Sequence, residues 1–163
     1  IGREHQVATI QLDMNMPERF DLYCINEKGE QERIVMIHAA IMGSIERFLS
    51  VYIEQTAGVF PLWLSPVQVK IIPVRTNHND YAKEVFELLK ENNIRAELDD
   101  VDENLGTKVR DAKTNKIPYW IVIGDKEIGA GKVTLESRDA GPLGQMNSEK
   151  MLSKLLEEIR NKK

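Results

Sequence analysis

Cysteine is nearly missing from this sequence: Cys24 stands alone among 163 residues. That excludes an intramolecular disulfide framework and any C-x-x-C metal or redox motif within the chain. Long apolar runs are missing too. No stretch reaches the roughly 18 apolar residues of a membrane span, and no charged segment followed by an apolar one opens the chain. The expectation is a soluble, cytoplasmic protein with no membrane partner. Nor does charge of one sign dominate, since 22 Lys and Arg stand against 26 Asp and Glu. The imbalance sits wholly in residues 1–66, with 5 basic and 9 acidic side chains, whereas residues 67–163 hold 17 of each. A strongly basic domain would point to nucleic acid. Contact with nucleic acid therefore has to come from local placement of charge. What is present, 42% hydrophobic and 29% charged residues, is ordinary for a globular domain and sufficient to bury a core without staples.

The first 66 residues read as strands followed by one helix. Gln6 to Asp13 alternates as a strand, and Met16-Pro17-Glu18 breaks it. Phe20 to Ile25 and Ile34 to His38 are apolar β-type runs. The turn residues Asn26-Glu27-Lys28-Gly29 between them predict that the two runs form a hairpin. A helix opens at Gly43-Ser44, with Ser44 as N-cap. Its residues Ile45, Phe48, Leu49, Tyr52 and Ile53 repeat at the spacing of one helical face, and Thr56-Ala57-Gly58 ends it. Phe60 to Pro66, with two prolines, is too stiff for a flexible linker. From Val67 strands and helices alternate. The predicted strands are Val67–Val74, Ile94–Leu98, Tyr119–Ile123 and Lys132–Leu135. The predicted helices run from caps at Asn77–Asp80 to Asn92, from Asn104 to Lys113, and from a cap at Ser148 through Met151, Leu152, Leu155, Leu156 and Ile159. That order implies an α/β domain, a small mixed sheet covered by helices. The first piece, with three strands and one helix, can bury little of Met36, Ile37, Ile41 and Phe48. We read it as the incomplete end of a larger antiparallel domain.

Three features carry chemistry in that piece. His38 closes the run Ile34-Val35-Met36-Ile37; such a histidine is ordinarily a hydrogen-bonded core residue, and His5 and His78 show no metal spacing with it. Arg47 lies off the apolar stripe of its helix. It is either solvated, paired with a carboxylate, or a guanidinium that clamps phosphate or stacks on a base. Thr9, Gln11 and Asp13 share one face of their strand, an ordinary half-exposed surface or the floor of a polar ligand site. In the second half Lys108, Arg110, Lys113 and Lys116 form a basic segment behind the acids Glu97, Asp99, Asp100, Asp102 and Glu103. A solvated face is the plain reading of both.

Read in order, these words resemble one family. Thr9-Ile10-Gln11-Leu12-Asp13, Pro17-Glu18-Arg19-Phe20 and Met36-Ile37-His38-x-Ala40-Ile41-x-Gly43-Ser44-Ile45-Glu46-Arg47-Phe48 resemble the end of the threonyl-tRNA synthetase catalytic domain, the last being its class II motif 3. The likeness continues through Ala57-Gly58-x-Phe60-Pro61-x-Trp63-Leu64-x-Pro66-Val67-Gln68-Val69. It then enters the anticodon-binding domain with Gly106-x-Lys108-Val109-Arg110, Ile117-Pro118-Tyr119, Gly124-Asp125-Lys126-Glu127 and Gly131-Lys132-Val133. The resemblance implies a remnant of the antiparallel class II catalytic sheet over residues 1–66 and an anticodon-binding domain over residues 67–163.

It also implies roles. His38 matches one of three protein ligands of a catalytic-domain zinc that holds the threonine amino and hydroxyl groups and so rejects valine; the other two ligands lie upstream in the family, and Cys24 is not one of them. Arg47 matches the motif 3 arginine that packs on ATP. Gln6 and Thr9 match positions lining the adenylate site, and Gln11 a residue near bound threonine. Chemistry in the family rests on positioning and charge stabilisation by arginines and Mg²⁺, with no protein nucleophile. Arg110, Glu127, Asp102 and Glu136 match the anticodon-reading positions, although Asp102 and Glu136 stand where asparagine and arginine are typical, and Ala39 where an arginine follows the histidine. The implied partners are threonine, ATP and tRNA(Thr), within a homodimeric full-length ligase. Alone, this portion is expected to be inactive. The alternative is a non-catalytic tRNA- or protein-binding module that retains the anticodon-type domain.

Overall fold

The computed structural model describes residue 2 and residues 4–163; Ile1 and Arg3, at the start of the expected catalytic remnant, lie outside the described residues. The chain divides into two compact units, Ile1–Ala57 and Gly58–Lys163.

The first unit holds two separate two-stranded ribbons and one long helix. Strand β1 (Ala8–Asp13) runs antiparallel to β4 (Met36–Ile41), with Gln11 opposite His38. The expected break after β1 is a short helix, α1 (Asn15–Arg19), whose amides Asn15 and Met16 are capped by Asp13 Oδ1 at 2.9 and 3.0 Å. The expected hairpin is corrected. β2 (Tyr23–Ile25) pairs with β3 (Gln31–Arg33), and the run ending in His38 belongs instead to β4, which continues to Ile41. The turn chemistry was right and the partner was wrong. Asn26 Oδ1 receives the amides of Lys28 and Glu30, which closes the chain within five residues and leaves Gln31–Arg33 as the return strand. Helix α2 (Ile45–Thr56) is capped by Ser44, whose Oγ receives the Arg47 amide, and closes with Ala57 in the left-handed region. Gly43 has φ +61°, and a Cβ there would lie 3.2 Å from the Gln6 carbonyl oxygen, so the turn into α2 presses on the start of β1 and a side chain there would be strained.

The second unit is built on a five-stranded mixed sheet in the order β6-β5-β7-β8-β9. β5 (Val69–Pro73) lies parallel to β6 (Ala96–Leu98) and β7 (Tyr119–Ile123); β8 (Val133–Ser137) and β9 (Gly141–Met146) continue antiparallel from β7. Central parallel strands are covered on both faces, and alternation sorts their side chains. Val69, Ile71, Ile121, Ile123, Val133 and Leu135 pack against α3 (Asn79–Glu91) and α6 (Ser148–Arg160), whose stripes bury Val85, Leu89, Met151 and Leu155. Ile72 and Trp120 face α4 (Leu105–Thr114) through Ala112 and Val109. The Phe60–Pro66 connector belongs to this unit: Leu62 is buried, Gln68 donates to its carbonyl, and Arg95 donates to the carbonyls of Trp63 and Ser65.

Three expectations change here. The turn at Gly124 opens a helix, α5 (Asp125–Ala130), and β9 appears where no strand was expected. The α6 cap is Asn147, whose Oδ1 receives the Lys150 amide at 2.9 Å; Ser148 lies just inside the helix. No helix among the described residues is long and apolar enough to cross a membrane.

Candidate functional site

Alternation in β1 and β4 places Thr9, Gln11 and Asp13 on the same face of the ribbon as their partners Ala40, His38 and Met36. The opposite face carries Ile10, Leu12, Ile37 and Ile41, all widely exposed. On the polar face Gln6 Nε2 donates to Thr9 Oγ1 at 2.6 Å, and His38 Nε2 meets Asp13 Oδ2 at 2.9 Å. Gln11, Asp13 and His38 line a shallow depression beside the start of α1. The Asp13 carboxyl is held below its ordinary value, first by the Met16 amide and then by His38. Because a carboxylate only accepts, the neutral His38 ring carries its proton on Nε2, which leaves Nδ1 as a lone-pair donor. A ring N–H bonded to a carboxylate in this way fixes the orientation of the imidazole and the side on which its lone pair is presented. One imidazole does not make a zinc site, however, and no group of three potential ligands occurs among the described residues. The described residues do not complete a zinc site. After dialysis the 163-residue chain should keep well under one zinc per molecule; chelator-resistant, stoichiometric zinc in metal analysis would overturn this.

Arg47 stands in the first turn of α2, exposed, and its guanidinium has no partner among the described residues. Gly43, four residues before Arg47, seats the turn into α2 against the backbone of Gln6, and Gln6 in turn bonds Thr9.

In the second unit α4 points two ways. Lys108, expected on a basic face, is buried. Its Nζ donates to the Asp99 carbonyl at 2.7 Å, while three residues on Asp111 receives Lys70 Nζ at 2.6 Å. Lys70 also meets Asp99 at 3.1 Å and Glu97 at 3.4 Å. Burial alone would push its ammonium downward; the hydrogen bonds and charges of Asp111, Asp99 and Glu97 overcome this and hold it well above the usual range. Two of the five acids of that run, Glu97 and Asp99, are thereby paired with Lys70. The outer side of α4 presents Arg110 and Lys113 around a shallow groove, with Lys113 5.6 Å from the centre of the Trp120 ring.

Glu127 and Glu136 lie elsewhere on the same side of the sheet. Glu136 sits opposite Trp120, and Thr134, two residues before it, donates to Glu127 Oε1 at 2.7 Å. Glu127 Oε2 receives the Gly124 amide at 3.0 Å, and Gln145 reaches Oε1 at 3.4 Å. Burial pushes the Glu127 carboxyl up, but these donors win and keep it low. With three of about four lone-pair directions taken, little of it is left for a ligand. Asp102 is apart from Arg110, in a crevice with Arg75. Arg75 escaped the sequence reading; its one signal was position, the first cation after a buried parallel strand.

The anticodon binding domain family matches residues 68–158, and the class II tRNA synthetase core domain family (G, H, P, S and T) matches residues 1–56. The threonine–tRNA ligase of Clostridium botulinum (strain Hall) is 52% identical over 162 residues, 99% of this chain and 26% of the relative. That of Caldanaerobacter subterraneus subsp. tengcongensis is 48% identical over 99% of this chain and 25% of the relative. The chain thus spans about a quarter of the length of the curated relatives it matches. Among solved structures, the RNA binding domain of threonyl-tRNA synthetase from Cryptosporidium parvum Iowa II superposes with a TM-score of 0.83 at 33% identity, covering 96% of this chain and 40% of that one.

Proposed function

The chain belongs to the anticodon-binding domain family, here joined to a piece of a class II tRNA synthetase core, and from that membership we propose that it is the C-terminal portion of a threonine–tRNA ligase. In this reading the whole enzyme, a homodimer, activates threonine with ATP and Mg²⁺ and transfers it to tRNA(Thr). Residues 1–66 contribute motif 3 and residues 67–163 bind the anticodon arm. Arg47 meets ATP by charge and by its flat guanidinium, Gln6 and Thr9 border the adenylate, Gln11 lies near threonine, and His38 is one ligand of a zinc whose other ligands are not in this portion. Arg110, Glu127, Asp102 and Glu136 face the anticodon, Glu127 with only the acceptor direction that its internal donors leave open. The observation that carries the reading is continuity: likeness at about half identity runs unbroken through both units. A second reading, a non-catalytic binding module, is favoured by the two carboxylates at 102 and 136, which supply acceptors where the family has donors.

Binding of the chain to a threonine tRNA, titrated with salt, tests both. Arg110→Ala should weaken binding roughly ten- to a hundredfold, the value of one good charged contact of about 1–3 kcal/mol. Glu136→Arg should strengthen binding and steepen its salt dependence, because one more phosphate can be neutralised. If both variants match the parent, this face does not meet tRNA, and the binding-module reading takes over.

A further inference from the structure

In the second unit β5 sends its chain to α3 on one face of the sheet, while its neighbour β6 sends its chain to α4 on the other. The two connections diverge. Such a switch point opens a crevice outside the carboxyl ends of the strands, where open α/β sheets hold their ligands. Here the crevice is lined by Arg75 after β5, by Asp100, Asp102 and Glu103 after β6, and by Lys108 from α4. Its charge balance is poor for RNA, with three carboxylates against two cations. Lys108 is buried and taken up by the Asp99 carbonyl. Arg75 is the remaining cation of the lining, and it is exposed.

Its place is fixed from beneath. The Arg75 amide donates to Nδ1 of His78 at 3.2 Å, and the His78 amide returns a bond to the Arg75 carbonyl at 3.0 Å. His78 is buried. Since Nδ1 accepts, Nε2 carries the proton and donates to Asp125 Oδ1 at 3.0 Å, tying the end of β5 to the start of α5. Residue 75 is therefore held in extended backbone, φ −144° and ψ 163°, by a buried imidazole, while its guanidinium makes no hydrogen bond or close ion pair among the described residues and meets the Asp125 carboxylate only through its charge. A donor fork with open hydrogen-bonding positions, on a fixed stretch of backbone at the lip of a carboxylate-lined crevice, is placed for an external anion.

We propose that Arg75 is a further residue of the RNA-binding surface: it binds a backbone phosphate of the RNA strand crossing the switch-point crevice and offsets the repulsion of Asp100, Asp102 and Glu103. This rests on the tRNA reading above. Asp102 can only accept hydrogen bonds; Arg75 supplies the charge that lets a polyanion approach it.

The test is salt-titrated binding of the full chain to a threonine tRNA and to transcripts altered at each anticodon base. Arg75→Gln should lose about tenfold or more in affinity and lower the salt slope by about one. The loss should be equal for every transcript, and Arg75→Lys should restore most of it. Because the side chain is exposed, melting temperatures should not move. Parent-like affinity and slope in Arg75→Gln, with Arg110→Ala impaired, would overturn the assignment and leave the tRNA reading standing. A loss confined to one anticodon base would overturn it in favour of base reading. No tRNA binding by the parent chain would overturn both.

Discussion

Replacing Lys70 by Met should lower the melting temperature of the second unit by roughly 15 °C. The side chain is 4% exposed and holds three carboxylates, Asp111 at 2.6 Å, Asp99 at 3.1 Å and Glu97 at 3.4 Å. Removing one partner of a buried ionic cluster leaves the others desolvated and uncompensated, at about 3–5 kcal/mol. Glu97 and Asp111 are half open to water, at 49% and 50%, so the lower end of that range applies. A domain of this size melts about 4–8 °C lower per kcal/mol lost. Lys90→Met, which breaks an exposed pair with Glu87, should cost no more than about 1 kcal/mol. The sign with pH follows from the raised ammonium pKa. Its stabilisation is complete below the unfolded-chain value of about 10.4 and is lost as pH rises through the folded value. The gap between parent and Lys70→Met should hold from pH 7 to 9 and close only in strong alkali. Melts of the two variants differing by less than a few degrees would refute the account.

The second large effect is a contrast between the units. Expressed alone, residues 58–163 should unfold cooperatively and protect the amides of β5, β7 and β8, whereas a peptide of residues 1–57 should exchange its amides almost freely. In the first unit Pro17 is the one buried residue among those described, and α2 buries none. Ile10, Leu12, Ile37, Ile41, Ile45 and Ile53 remain open to solvent. A two-stranded ribbon is marginal in water by itself, and so is a twelve-residue helix. The second unit has a continuous core from Val69 through Leu155 between helices. Hydrogen exchange by mass spectrometry reads both, and slow exchange in β1 or β4 of the isolated peptide would contradict the argument.

The helices were legible because a stripe needs only local spacing: Ile45 to Ile53 and Met151 to Ile159 announce their faces without knowledge of neighbours. β9 was not, since Gly141, Pro142 and Gly144 erase its alternation and it is held by β8 rather than by propensity. Helix α5 was hidden for a related reason. It is six residues long, ends at Gly131 in the left-handed region, and is closed by a Glu127 side chain that reaches back to Gly124. At the site, the shared face of Thr9 and Gln11 follows from a period of two. The His38–Asp13 contact does not, because it depends on β4 choosing β1 over β2. The inward turn of Lys108 was likewise beyond reading, as the carbonyls of Asp99 and Pro73 and the Asp99 carboxylate that receive it come from other elements.

The two margins of the five-stranded sheet bear on solubility. An unpaired strand edge is a template for another chain, and proteins blunt it with short strands, proline and bulges. The β6 margin offers only three residues, Ala96 to Leu98, with the charged Glu97 at its centre. The β9 margin carries Pro142, which has no amide to give, and the pairing slips between Leu135 and Glu136, so the ladder bends out of register just where a stacking strand would need it flat. Both margins of the sheet are thus poor templates for edge-to-edge pairing with another chain.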